Sequence, residues 1–125
     1  AVHAGWRGVV AGVTLRALEQ LQTPPSRVYA AIGPSISFDA FEVGPEVIEA
    51  FERLMPNPPV RRRDDGKGHV DLRAVLRWQL TQAGVPADHM DRTEACTYRD
   101  RELFFSHRRD KGVTGRMAAV IGTRV

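Results

Sequence analysis

Stretches with helical spacing alternate along this chain with short apolar runs, and Pro or Gly punctuates nearly every change. After Gly8, Val10, Val13, Ala17, Leu18 and Leu21 recur on one helical face, and Pro24-Pro25 ends the stretch. Arg27 to Ile32 is a short apolar run before Gly33-Pro34 and reads as a buried strand. Ser35 to Gly44 reads as a loop with some extended backbone. A second helix starts at Pro45, a residue suited to the first helical position, and turns Val47, Ile48, Phe51, Leu54 and Met55 inward. Asn57 to Gly68 holds two adjacent prolines, Arg61-Arg62-Arg63 and Asp64-Asp65-Gly66, the composition of an exposed loop. His69 to Leu72 leads into a third helix with Asp71 as its N-cap. Its buried stripe is Leu72, Val75, Leu76 and Leu80, and Gly84 and Pro86 close it. A short strand is expected to end near Cys96. The last strand is expected over Met117 to Ile121, apolar at every position as in strands covered on both faces.

This alternation specifies an α/β fold, a layered mixed sheet with flanking helices. Its 125 residues are enough for one domain, and no internal repeat, low-complexity tract or linker divides them. The opening Ala1-Val2-His3-Ala4-Gly5 reads as the end of a buried strand entered midway, so the single domain is expected to be incomplete. With 42% hydrophobic and 26% charged residues, a disordered or fibrous class is excluded. No apolar run approaches the roughly 20 residues that span a bilayer, so no membrane partner is expected. The single cysteine, Cys96, cannot form an internal disulfide and suits a cytoplasmic setting.

The net charge is +3 and the sequence pI about 9.6. Arginine supplies nearly all the positive charge, with Lys67 and Lys111 the only lysines. Arginine grips planar anions with two prongs, so phosphate recognition is compatible with this bias. A genome whose codon usage favours arginine explains it equally well. The near balance of charges argues against a nucleic-acid partner.

Two segments carry residues suited to chemistry. Ala1 to Gly8, AVHAGWRG, puts His3 at a strand end and Trp6-Arg7 between glycines, with a helix after it. Strand ends that feed helices are where α/β proteins gather ligands. A buried, hydrogen-bonded histidine is the plainer reading of a lone His3. The second segment, Cys96 to Arg116, holds Cys96, Ser106, His107, Arg108, Arg109 and Arg116, a combination suited to a polyanion. Here a small buried thiol, core phenylalanines at Phe104-Phe105 and solvated arginines are the plainer reading. Arg61-Arg62-Arg63 reads as a solvated run that the two following aspartates partly neutralise. His69 and His89 read as surface residues. Walker loops, dinucleotide fingerprints, CxxC pairs and HExxH helices do not occur.

AVHAGWRG, then AIGPSI, FEVGPEV and CTYRD…FFSHRRDKGVTGRMAAVI resemble, in the same order, the laccase-domain family, also called multicopper polyphenol oxidase-like or YfiH-like. The resemblance spans the whole chain and makes residues 1–125 the C-terminal part of such a domain. It implies a cytosolic zinc-dependent purine nucleoside phosphorylase acting on adenosine, inosine, guanosine and methylthioadenosine, with adenosine deamination as a further activity. Copper-dependent polyphenol oxidation, the older label, is the alternative. The family holds its metal with two histidines and a cysteine, and His3 matches one of these histidines. The other ligands lie in upstream motifs that this sequence does not contain. Cys96 matches a different family cysteine and takes no ligand role. Some members carry cysteines where this chain reads Ser37 to Phe41, and many have tyrosine where it has His107.

Three protein ligands and one open position are usual for catalytic zinc. The resemblance therefore makes His3 a metal ligand and, with Arg7, a candidate catalytic residue. Motif position and charge make Arg7, Arg108 and Arg116, with Ser106, the candidate phosphate- and substrate-binding residues. A cysteine hydrolase using Cys96 with a histidine base is a competing class. Because His3 is one ligand of three, residues 1–125 alone are expected to bind zinc weakly and lack turnover until the upstream half completes the site.

Overall fold

The computed structural model describes residues 1–122. In chain order its elements are α1 (Trp6–Val10), α2 (Val13–Leu21), β1 (Ala30–Ile32), β2 (Glu42–Val43), α3 (Pro45–Leu54), β3 (Val60–Arg62), β4 (Gly68–Val70), α4 (Leu72–Gln82) and β5 (Met90–Arg92). Short 3-10 turns at Pro25–Arg27 and Ala87–His89 precede β1 and β5.

The first amphipathic stretch is two helices rather than one. Gly12 takes φ 77°, a left-handed conformation that a side chain would resist, and the first helix ends before it. The stripe expected from Val10 to Leu21 is thereby divided. Val9 of α1 is fully buried, whereas α2 buries no residue.

The fold is α/β with both parallel and antiparallel pairing, distributed over two small sheets. β1 and β5 pair in parallel, Ala30 opposite Met90 and Ile32 opposite Arg92. A parallel bridge between Ser35 and Cys96 extends that contact. The second sheet is antiparallel in the order β2-β4-β3.

Half of this second sheet comes from the segment expected to be a loop. Residues 60–70 form a hairpin that turns at Asp64-Asp65-Gly66, where Gly66 has φ 82° and Arg63 N–H donates to Lys67 O at 2.8 Å. The three arginines then obey the two-residue period of a strand. Arg61 pairs with Asp39 at 3.0 Å and Arg63 with Glu42 at 2.6 Å, while Arg62 pairs with Glu52 of α3 at 2.5 Å. Gly68 permits the hairpin to close against α3. A Cβ there would lie 2.6 Å from Arg61 O and 2.9 Å from Ile48 Cδ1.

α3 and α4 begin as the sequence predicts. Pro45 is the first residue of α3, and Val47, Ile48 and Phe51 are buried on it. Asp71 caps α4, its Oδ1 accepting from Ala74 N–H at 3.0 Å. These helices, β4, Val9 and Phe41 enclose the main core around Phe51 and Ile48. A smaller core of Val28, Ile32, Leu80 and Val85 lies under β1 and β5.

The expected first and last strands do not form among the described residues. Ala1 to Ala4 and Met117 to Ile121 lie outside any helix or strand. Val2 and Ile121 are exposed. A strand exists only where a neighbour's backbone accepts its N–H groups, and neither segment has such a neighbour here.

Candidate functional site

His3 lies just ahead of α1 and is exposed. Gly5 lies beside it, and a Cβ at that position would make ordinary contact with His3 Nε2 at 3.4 Å. Arg7 is also exposed, and its guanidinium lies 4.6 Å from the Trp6 ring centroid. Trp6 packs against the main core, so the indole face fixes where that charge sits. Among the described residues neither His3 nor Arg7 spends its side chain on a hydrogen bond or ion pair. The sequence expectation of a buried, bonded histidine at position 3 is not met.

Cys96 to Arg116 is built from one small device used twice, which the sequence reading missed. Asp100 Oδ2 accepts from Cys96 N–H at 2.7 Å, and Asp100 N–H returns a bond to Cys96 O at 2.9 Å. Ten residues on, Asp110 Oδ2 accepts from Ser106 N–H at 3.3 Å and Asp110 N–H donates to Ser106 O at 2.9 Å. In each turn the first side chain accepts a backbone N–H, Arg99 N–H to Cys96 Sγ at 3.4 Å and Arg109 N–H to Ser106 Oγ at 3.2 Å. In each the arginine Nε reaches the aspartate, at 3.2 Å and 2.9 Å. The visible signal was Cys-x-x-Arg-Asp at 96–100 and Ser-x-x-Arg-Asp at 106–110. A chemical match of Cys to Ser concealed it.

Arg109 joins the two turns. Its Nη1 donates to Thr97 O and Tyr98 O at 2.9 and 3.2 Å, and its Nη2 to Phe104 O at 2.9 Å. The Arg109 hydrogen bonds, with a further one from Thr114 Oγ1, hold the Asp110 carboxyl down to about 2. Asp100 is lowered too, chiefly by the Cys96 N–H.

Ser106 is buried, its hydroxyl engaged by the turn. Arg108 is exposed on the same turn. Its Nη1 donates to Glu42 O at 2.6 Å, and its guanidinium lies 5.3 Å from the Phe41 ring centroid. Arg116 is exposed and donates to Thr114 O and Gly115 O at 3.0 and 3.2 Å. No hydrogen bond or ion pair among the described residues joins His3 or Arg7 to these arginines.

Cys96 is fully buried. Burial raises its pKa, but a hydrogen bond between the thiol and the Ser37 hydroxyl, with those from the N–H groups of Arg99 and Ser37, outweighs this, and the net shift is downward. Among the described residues its sulfur is bonded by Ser37 and Arg99. Behind it Arg73, unremarked in the sequence, is buried and donates to Ser35 Oγ at 2.8 Å, Ser35 O at 3.0 Å and Ala95 O.

Two histidines depart from the surface placement expected. His69 is half-buried on β4, edge-on to Phe38 at 6.3 Å. His89 stacks on Tyr29 at 4.0 Å with its Nδ1 3.3 Å from Val28 O. Among the described residues no group of three or more His, Cys, Asp or Glu side chains could hold a metal ion. No helix there is long and apolar enough to cross a membrane.

Comparison with known proteins matches residues 1–124 to the family described as multi-copper polyphenol oxidoreductase laccase. The purine nucleoside phosphorylase YlmD of Geobacillus stearothermophilus is 42% identical over 129 residues, covering 98% of this chain and 47% of the relative. Adenosine deaminase RL5, from an unknown prokaryotic organism, is 42% identical over 113 residues, covering 86% and 43%. The crystal structure of the Geobacillus YlmD superposes with a TM-score of 0.84 at 39% identity, covering 91% of this chain and 45% of that one. The chain thus spans about half the length of the relatives it matches. With nearly every residue matched and the same architecture in solved structures, the chain belongs to the multi-copper polyphenol oxidoreductase laccase family.

Proposed function

We propose that residues 1–125 are the C-terminal part of a cytoplasmic, zinc-dependent purine nucleoside phosphorylase. The observation that carries this reading is 42% identity to a protein of that name across 98% of the chain. The substrates are adenosine, inosine, guanosine and methylthioadenosine with phosphate. Adenosine deamination is a side activity, supported by the similarity to a protein named adenosine deaminase.

His3 is the metal donor in this chain: it stands in the family's histidine motif, its ring is exposed, and among the described residues no hydrogen bond claims its nitrogens. One imidazole is not a site, so the remaining ligands come from polypeptide outside residues 1–125. When bound, zinc would polarise a substrate oxygen or lower the pKa of a bound water to about 7. Arg7, kept in place by the Trp6 ring, binds and orients phosphate. Arg108 and Arg116 bring further guanidinium donors to the same anion, with Ser106 fixing the turn that carries Arg108. As the glycosidic bond breaks, positive charge develops on the sugar and phosphate attacks the anomeric carbon. The arginines hold that phosphate so that no orientation is lost at the moment of attack.

The test compares intact protein with residues 1–125 alone. Intact protein should carry stoichiometric zinc and cleave inosine only when phosphate is present, and the short chain should do neither. The family description names copper, so both metals are measured, and stoichiometric copper would replace zinc in the reading. Stoichiometric zinc in the short chain would move the ligand set inside it. Replacing Arg7, Arg108 or Arg116 by Ala in the intact protein should raise the phosphate KM about tenfold. An arginine whose loss leaves phosphate dependence unchanged is not part of the clamp.

A further inference from the structure

Gln79 places an amide where the packing calls for a hydrocarbon. It sits on α4 at 2% exposure, and Val10, Leu54 and Trp78, which line the same groove, are apolar. Its Nε2 donates to Val9 O of α1 at 2.8 Å. Its Oε1 is buried too, and among the described residues it has no hydrogen-bond partner. An unpaired buried acceptor lowers stability and so opposes what the donated bond contributes. Val9 O does not depend on that bond either, since Gly12 N–H reaches it at 3.1 Å. A methionine of nearly the same shape would fill the place without a polar atom. Stability alone therefore gives no reason for an amide here.

Orientation gives one. α1 has five residues and no side-chain cap at Gly5. Trp6, Val9 and Val10 hold it by apolar packing, which is non-directional. Among the described residues the Gln79 bond is the one hydrogen bond that joins α1 to another helix or strand. The far side of that bond is firmly held. Asp71 caps α4, and Arg73 ties the same helix to Ser35 and Ala95 by three hydrogen bonds. Two positions apart on a helix, Arg7 and Val9 point about 200° away from each other. Holding Val9 O against α4 thus sets the roll of α1, and the roll sets where the Arg7 guanidinium stands.

We propose that Gln79 is a positioning residue for phosphate: its hydrogen bond to Val9 O fixes the roll of α1 and so aims Arg7 at the anion. The phosphate part rests on the proposed phosphorolysis, whereas the hold on α1 does not.

Gln79→Met in the intact protein tests this. The urea midpoint should stay level or rise. The amides of Val9 and Ala11, bonded to Gly5 O and Arg7 O, should exchange about tenfold faster than in the unsubstituted protein, with Val75 of α4 unchanged. The phosphate KM should rise by about threefold to tenfold, while kcat and the inosine KM stay within about twofold. In an Arg7→Ala background the substitution should add nothing to the phosphate KM, as expected when one residue acts through the other. Unchanged exchange in α1, a clearly lower urea midpoint, or an equal rise of the phosphate KM without Arg7 would each overturn the proposal. So would an unchanged phosphate KM in a variant whose parent cleaves inosine with phosphate. A parent that shows no such cleavage sinks the proposed reaction alone, and the exchange rates then decide whether Gln79 holds α1.

Discussion

Arg109 shows how much one side chain contributes when it meets backbone instead of solvent. Its guanidinium serves three carbonyls, Thr97, Tyr98 and Phe104, that have no other partner among the described residues. Arg109→Ala should destabilise the protein by about 2 kcal/mol, roughly one for each half-buried carbonyl of Thr97 and Phe104, since the exposed Tyr98 carbonyl regains water, read as a lower urea midpoint. Arg16→Ala, which removes an exposed pair at 3.4 Å, should shift stability by less than about 0.5 kcal/mol. Asp110 adds a pH dependence with a definite sign. Its folded pKa, about 2, lies below that of an unfolded aspartate. Its contribution is therefore complete above about pH 3.9 and is lost as pH falls through about 2. Asp110→Asn should flatten the acid limb of stability in that window, measured by urea unfolding from pH 5 downward. Part of the limb should persist, because Asp100 is lowered in the same direction.

Elements whose signals are local were legible from the sequence. Pro45 and Asp71 marked two helix starts because a fixed φ and a capping carboxylate act within one turn. Asp71→Ala should cost about 1 kcal/mol through the lost bond to Ala74 N–H, with loss of helical signal on mild heating as the readout. The β3–β4 hairpin was not legible. Arg61, Arg62 and Arg63 erase the apolar alternation of a strand, and their carboxylate partners at Asp39, Glu42 and Glu52 are distant in sequence. Gly12 was present in plain sight, but spacing cannot tell a tolerated glycine from one that breaks a helix. At the candidate site, His3 and Arg7 were singled out through the motif that contains them. The twin turns escaped because their order lies in hydrogen bonds rather than in hydrophobic pattern.

At the level of the whole molecule, charge and apolar surface tell different stories. The high pI suggests a basic surface, but Arg61, Arg62 and Arg63 each face a carboxylate within 3.0 Å, so this run adds little to the steering of polyanions. Apolar surface is plentiful instead, with Val113, Val120 and Ile121 all exposed. Residues 1–125 on their own should therefore self-associate as concentration rises and enhance the fluorescence of an apolar dye, whereas the intact protein should do neither. Sedimentation at a series of concentrations reads the difference; a monodisperse short chain that ignores the dye would contradict it.

Cys96 gives this molecule a built-in clock. Its sulfur is sealed by Ser37 and by Arg99 N–H, and it is the single thiol of residues 1–125. An alkylating reagent can reach it only after the structure around the buried sulfur opens. The labelling rate therefore times how often the joint between β1 and the twin turns opens, one breath of the fold at a time.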